Sequence, residues 1–210
     1  MHESNNVVEV FTDFICPWCY LGEKQLREAT ADTNVTLRHV YFPLHPETPV
    51  EGKTLEQLFA GRGTDVAVMQ KQLGTMMRGE GLDYGPRTHT FNSSPAQQLA
   101  KYISLLDTEA GTANARQFGA EVFLAYFGRG DNIAMPAVLR GICNRIGMVD
   151  IDIEKGLRDS SAAQMVNDDW AYCREMNVTG VPAFRFGERW LHGCQGVPAL
   201  ESLIRVEREE

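Results

Sequence analysis

The chain opens on an apolar, β-prone run, Val7-Val8-Glu9-Val10-Phe11, which predicts a first strand. Pro17–Ala31 reads as a helix, and Val35–Phe42 alternates Val-Thr-Leu-Arg-His-Val-Tyr-Phe, the period of a second strand. Pro43, Pro46 and Pro49, with Gly52, then end regular structure. From there to about Asn177 the pattern is almost entirely helical, with helices predicted at Leu55–Ala60, Asp65–Gly79, Pro95–Leu106, Ala113–Phe127, Pro136–Ile146, Ile153–Arg158 and Ser161–Met176. Strand character returns in Ala183-Phe184-Arg185-Phe186, turns through Gly187-Glu188-Arg189 and resumes in Trp190-Leu191-His192, a hairpin signal followed by a short helix over Pro198–Arg205. The layout is βαβ at the front, ββα at the back and a helical block between. The expected fold is α/β, with residues 1–48 and 178–210 forming one discontinuous domain and residues 49–177 an all-helical insertion that serves as a lid.

The junction between the first strand and the first helix carries Cys16-Pro17-Trp18-Cys19. A thiolate, not a thiol, is the nucleophile in sulfur chemistry, and a cysteine at a helix N-terminus is stabilised as thiolate by unpaired backbone N–H groups and the positive end of the helix dipole. Cys16 is so placed. Pro17 suits the first helical position, where no N–H is needed, and three-residue spacing returns Cys19 to the same helix face, within reach of a short disulfide. Pro17 and Trp18 lie in the loop that tunes Cys16 acidity. Trp18 either shields the sulfur or contacts substrate, or it packs on the helical block. The competing reading of such a pair is half a zinc site. Structural zinc takes four ligands, usually as two nearby pairs, and Cys143, Cys173 and Cys194 stand alone.

Composition narrows the partners. A chain of 210 residues, 43% hydrophobic and 23% charged, can bury a substantial core. With 28 acidic against 20 basic residues the formal charge is −8, which argues against nucleic acid and an anionic membrane surface. The N-terminal Met1-His2-Glu3-Ser4-Asn5-Asn6 lacks the basic and long apolar regions of a signal peptide, and no apolar run reaches the roughly eighteen residues of a membrane span. Five cysteines, an odd number without framework spacing, fit a reducing compartment, so a cytoplasmic location is expected.

Thr179-Gly180-Val181-Pro182 stands just before the third strand. A proline at a strand's first residue is either an ordinary trans residue or a tight cis turn. A cis Val181–Pro182 bond would present the Val181 backbone groups to an extended substrate, as in strand addition. Asp13 is a candidate for assisting proton transfer, against the simpler reading that it hydrogen-bonds turn backbone. His39 and His45 read as structural, His89 and His192 carry no assigned role, and Met69, Met76 and Met77 read as packing.

A β-α-β…β-β-α scaffold with a CxxC after its first strand is thioredoxin-like. Phe11-Thr12-Asp13-Phe14-Ile15-Cys16-Pro17-Trp18-Cys19-Tyr20-Leu21-Gly22, the helical middle and Val178-Thr179-Gly180-Val181-Pro182-Ala183-Phe184 resemble the DsbA family of thiol–disulfide oxidoreductases, most closely its cytoplasmic FrnE-like branch. The Leu44-His45-Pro46 to Gly52 stretch is similar to that branch's link into its helical domain, and Gly193-Cys194-Gln195 to its Gly-Ala-Gln turn. The resemblance implies a thioredoxin fold with a helical insertion, Cys16 as the exposed nucleophile, Cys19 as its buried partner and Pro182 as a cis proline. It implies no cofactor beyond a redox-active Cys16–Cys19 disulfide, partners that are protein or small-molecule disulfides and thiols, and glutathione as a reductant that fits. Glutathione-dependent relatives, the 2-hydroxychromene-2-carboxylate isomerases and kappa-class transferases, typically carry serine where this chain has Cys16, and serine cannot cycle through a disulfide. Cys194 departs from the family's alanine, as either a small buried residue or a third redox thiol. Three function classes stand: dithiol oxidoreductase, glutathione-dependent isomerase or transferase, and a non-catalytic metal-holding or binding module.

Overall fold

The computed structural model describes residues 6–106 and 111–205, with backbone alone at 111 and 112; residues 1–5, read above for a leader, lie outside the described residues. In chain order the elements are β1 (Val7–Thr12), α1 (Pro17–Ala29), β2 (Thr36–Tyr41), β3 (Lys53–Thr54), α2 (Leu55–Leu58), α3 (Val66–Gly79), β4 (His89–Thr90), α4 (Ser94–Leu106), α5 (Gly111–Phe123), α6 (Pro136–Arg145), α7 (Ile153–Arg158), α8 (Ser160–Glu175), β5 (Ala183–Phe186), β6 (Arg189–His192) and α9 (Val197–Ile204). No helix among the described residues is long and apolar enough to cross a membrane.

The chain forms two compact units, Met1–Phe42 with Asp169–Glu210, and Pro43–Asp168, so the second division falls inside α8. The first unit holds a four-stranded sheet in the order β2-β1-β5-β6. β1 pairs parallel with β2, which requires the crossover that α1 supplies, and antiparallel with β5, and the tight β5–β6 hairpin completes the sheet. Strand alternation puts different residues on the two faces. Val8 and Val10 pack with Leu26 and Ala29 of α1, Phe184 and Phe186 of β5 and Leu200, Leu203 and Ile204 of α9. Phe11, Val40 and Ala183 form the other layer with Cys173 and Val178. On that second face the nearly buried Glu9 carboxylate is satisfied by Arg38 at 2.8 Å, Arg185 at 3.3 Å and the Tyr172 hydroxyl at 3.1 Å.

The second unit is mainly helical, and local chemistry starts its helices. Thr54 and Gln57 cap α2 reciprocally, Asp65 caps α3 and Asp152 caps α7. α4 packs on α5 and α7. At Gly156 in α7 a Cβ would fall 2.7 Å from Tyr102 and 2.8 Å from Leu99, so glycine sets how closely α7 approaches α4. Two findings depart from the expected helical block. Lys53 and Thr54 pair antiparallel with Thr90 and His89, a two-residue ladder too short to leave an alternating pattern. The helix expected to run to Phe127 instead widens at Leu124–Arg129 into a π-helical turn that ends at left-handed Gly130 (φ 73°).

Candidate active site

Cys16 is the N-cap of α1, with extended backbone (φ −89°, ψ 118°), Pro17 at the first helical position and no acidic residue in the first turn. An N-cap side chain normally supplies an oxygen to the free N–H groups of the first turn. Here no side-chain cap hydrogen bond forms, and the side chain at the cap position is a thiol. The Cys16 carbonyl accepts from Cys19 N–H at 3.1 Å and Tyr20 N–H at 3.3 Å, so the dithiol loop closes directly into helix.

Two sulfurs in the same turn have opposite acidities. A hydrogen bond from the Cys19 thiol draws the Cys16 pKa below the ordinary thiol value, and the backbone N–H groups of Cys19 and Trp18 add to it, against burial and the charge of Asp13. Burial pushes Cys19 well above the ordinary value, and a thiolate at Cys16 pushes it further in the same direction. The pair thus favours one state, a Cys16 thiolate accepting from a Cys19 thiol. Both residues are free thiols in this structure.

Burial corrects one expectation. Cys16 is only 5% exposed, not the exposed nucleophile that the resemblance implied, and Cys19 is 2% exposed. The Cys16 sulfur lies 3.4 Å from the Val181 carbonyl oxygen, to which it donates when protonated, and that contact covers part of the sulfur. Val181 and Pro182 are joined by a cis peptide bond. Pro182 is buried, and its carbonyl accepts from Gly193 N–H at 2.8 Å, tying this loop to the turn after β6. Trp18 is 43% exposed beside the sulfurs and Pro17 is half-buried, so the sequence-predicted residues Cys16, Pro17, Trp18, Cys19, Val181 and Pro182 all belong to one unit and line one loop cluster.

The other candidates make contacts of their own. Asp13 is fully buried and its carboxylate accepts from Ile15 N–H at 3.2 Å, an Asx-type turn that shapes the approach to Cys16. His39 faces the Glu23 carboxylate at 3.1 Å, an α1–β2 pair that spacing could not reveal because the two lie sixteen positions apart. His45 lies 3.8 Å from Glu47, and burial lowers its pKa. His89 stacks on Phe91 and His192 on Trp190. Met77 is fully buried in α3, with Met69 and Met76 half-buried. Cys143 is buried in the second unit, and Cys173, buried in the first, donates to the Tyr41 carbonyl at 3.5 Å. Among the described residues no group of three or more His, Cys, Asp or Glu is placed to hold a metal ion.

Sequence reading missed one contact of the site itself. Cys194 is half-exposed, not a buried filler, and its thiol donates to the Trp18 carbonyl at 2.8 Å. Its departure from the Gly-Ala-Gln pattern was the only signal.

Comparison with known proteins agrees with this arrangement. A family model described as the DSBA-like thioredoxin domain matches residues 7–205. The uncharacterised protein YwbO of Bacillus subtilis is 20% identical over 209 residues, 97% of this chain and 98% of its own. A probable DsbA oxidoreductase from Streptomyces coelicolor superposes with a TM-score of 0.79 at 21% identity, over 97% of this chain and 93% of that one. The cytosolic disulfide reductase DsbM of Pseudomonas aeruginosa, solved with glutathione, superposes with a TM-score of 0.64 at 17% identity, over 93% and 92% of the two chains.

Proposed function

The chain belongs to the DSBA-like thioredoxin domain family, and we propose that within it the protein is a FrnE-like thiol–disulfide oxidoreductase that cycles Cys16 and Cys19 between dithiol and disulfide. The observation that carries this is the pairing, at the tip of α1, of a sulfur stabilised as thiolate with a second sulfur kept protonated.

The Cys16 thiolate attacks one sulfur of a substrate disulfide, R–S–S–R′, forming a Cys16–S–S–R bond and expelling R′–S⁻. Cys19 then gives up its proton and attacks the Cys16 sulfur, and R–S⁻ leaves. The substrate has gained two electrons as two thiols, and the protein holds a Cys16–Cys19 disulfide. Oxidation of a substrate dithiol runs the same steps backward. Once Cys16 is in the mixed disulfide its negative charge is gone, which removes one of the causes that keep Cys19 protonated. The acidity order therefore suits the sequence of attacks. The Val181 carbonyl beside the Cys16 sulfur, with Pro17 and the exposed Trp18, would receive the substrate backbone and side chains. A cytoplasmic location, supported by the odd, unframed cysteine count, favours reductase or isomerase direction, with glutathione-class thiols as the reductant. The fold-level likeness to a cytosolic disulfide reductase solved with glutathione accords with that direction.

Trapping tests the proposal. Cys19→Ala should accumulate mixed disulfides on Cys16, readable by mass spectrometry, and Cys16→Ser should lose insulin disulfide reduction by at least about a thousandfold, the usual scale for removing a covalent nucleophile. Glutathione-dependent turnover that survives Cys16→Ser would move the protein to the isomerase or transferase class. Absence of adducts on Cys19→Ala would defeat dithiol exchange.

A further inference from the structure

The exchange steps leave one sulfur at the site unused. Cys194 follows β6 directly, and Gly193 beside it is anchored by the 2.8 Å bond from its N–H to the Pro182 carbonyl. A Cβ built on Gly22 would lie 3.3 Å from Pro182 Cγ and 3.5 Å from Cys194 Sγ, so the turn packs against the first two turns of α1. From there the Cys194 thiol reaches the Trp18 carbonyl at 2.8 Å.

That carbonyl belongs to the peptide unit joining Trp18 to Cys19. The N–H of the same unit faces Cys16: it lies 3.1 Å from the Cys16 carbonyl oxygen and is one of the groups that stabilise the Cys16 thiolate. A donor on the oxygen of an amide draws electron density toward that oxygen and strengthens the amide's own N–H as a donor, by about 10–30% per bond in a chain. S–H is a weak donor, but alanine at this position would have none. Resting on the reading of Cys16 as the attacking sulfur, we propose that Cys194 is a positioning residue of the dithiol site, whose thiol holds and polarises the Trp18–Cys19 peptide unit so that its N–H stays fixed against Cys16, whose carbonyl it serves. The thiol acts through the backbone and takes no part in the exchange.

The test is the pH dependence of Cys16 alkylation by iodoacetamide in the reduced full-length protein, followed by mass spectrometry on the Cys16 peptide so that labelling of Cys194 does not intrude. Wild type, Cys194→Ala and Cys194→Ser are compared. The midpoint should rise by about half a pH unit in Cys194→Ala, about a threefold smaller thiolate fraction on the acid limb, and return most of the way in Cys194→Ser, whose hydroxyl donates in the same direction. Superimposed wild-type and alanine profiles overturn the proposal. A serine profile displaced as far as alanine also overturns it, because packing and not donation would then be the cause. A reactive Cys16 indifferent to Cys194 sinks this proposal alone, whereas a wild-type Cys16 as sluggish as an ordinary thiol sinks the dithiol reading beneath it.

Discussion

Helices α1 and α6 start alike and end with different chemistry. Each has proline at its first position, no side-chain cap, no acidic residue in its first turn and glycine at its sixth residue, Gly22 in one and Gly141 in the other. α1 has Cys16 at the N-cap and Cys19 in the first turn. α6 has Met135 at the N-cap and its cysteine, Cys143, at the eighth of its ten residues. Cys16 is drawn below the ordinary thiol pKa, while burial raises Cys143 to about 11. Both are nearly inaccessible, so burial does not separate them. What separates them is donors, the Cys19 thiol first and the backbone N–H groups of Cys19 and Trp18 after it. The first backbone N–H groups of a helix lack the full ladder of its body and can add to that donation, whereas further along every N–H is already taken. The helix start adds to an activation that the second thiol leads, and Cys143 has neither.

The largest effect that sharpens this contrast is in reactivity. With Cys143 at about 11 and Cys16 below the ordinary value of 9.0, the thiolate fractions at neutral pH differ by more than about a hundredfold. Competitive alkylation of the native reduced protein, resolved peptide by peptide, should give a rate ratio of at least that size in favour of Cys16. Comparable rates would mean that the α1 tip does not activate its sulfur.

A second effect appears in stability. The folded-state pKa of Cys143 lies above the unfolded value, so the neutral thiol contributes stability that is fully present below about pH 9 and is lost as pH rises toward 11. The loss over that window is on the order of 2 kcal/mol. Cys143→Ala should be less stable than wild type at pH 7 by about 1–2 kcal/mol, from the cavity it leaves, and should close that gap between pH 9 and 11. Urea midpoints at pH 7, 9, 10 and 11 follow the crossing. Parallel curves would show that Cys143 does not ionise on unfolding in this range.

How much of this was legible in the chain depends on the range of the interaction. Elements set by local pattern were readable: the apolar run of β1, the alternation of β2, the Gly187 hairpin, and the proline starts of α1, α6 and α9 all lie within windows of a few residues. The cysteine pair was readable because helix spacing and the N-cap position are local as well. Long-range facts left little trace. The Glu23–His39 pair, the Asp169 carboxylate on Tyr41 N–H at 2.8 Å and the Cys194–Trp18 bond join residues sixteen, 128 and 176 positions apart. The β3–β4 ladder is two residues long, below any periodicity, and the π-helical turn at Leu124–Arg129 shares its composition with ordinary helix. The near-burial of Cys16 was missed for the same reason, since Val181 approaches it from 165 residues away.

The smallest expected effect concerns the paired glycines, and there the two helices should differ in sign. Replacing a helix-interior glycine by alanine gains about 0.5–1 kcal/mol from propensity and unfolded-state entropy where space allows. At Gly141 the nearest heavy atom to an added Cβ is the flexible end of Arg145 at 3.4 Å, so Gly141→Ala should stabilise by about that amount. At Gly22 the same Cβ meets Phe184 Cζ at 3.2 Å, Pro182 Cγ at 3.3 Å and Cys194 Sγ at 3.5 Å, three groups held by the sheet and by the loops around the dithiol. The first two must give by a few tenths of an ångström, and overpacking of this kind costs about 1–3 kcal/mol against the propensity gain. Gly22→Ala should therefore lower the urea midpoint slightly, by about 1 kcal/mol or less in stability, and change the Cys16 alkylation midpoint, whereas Gly141→Ala raises the first and leaves the second alone. If both glycines stabilise on conversion to alanine, α1 is not held against its neighbours as closely as the dithiol geometry requires.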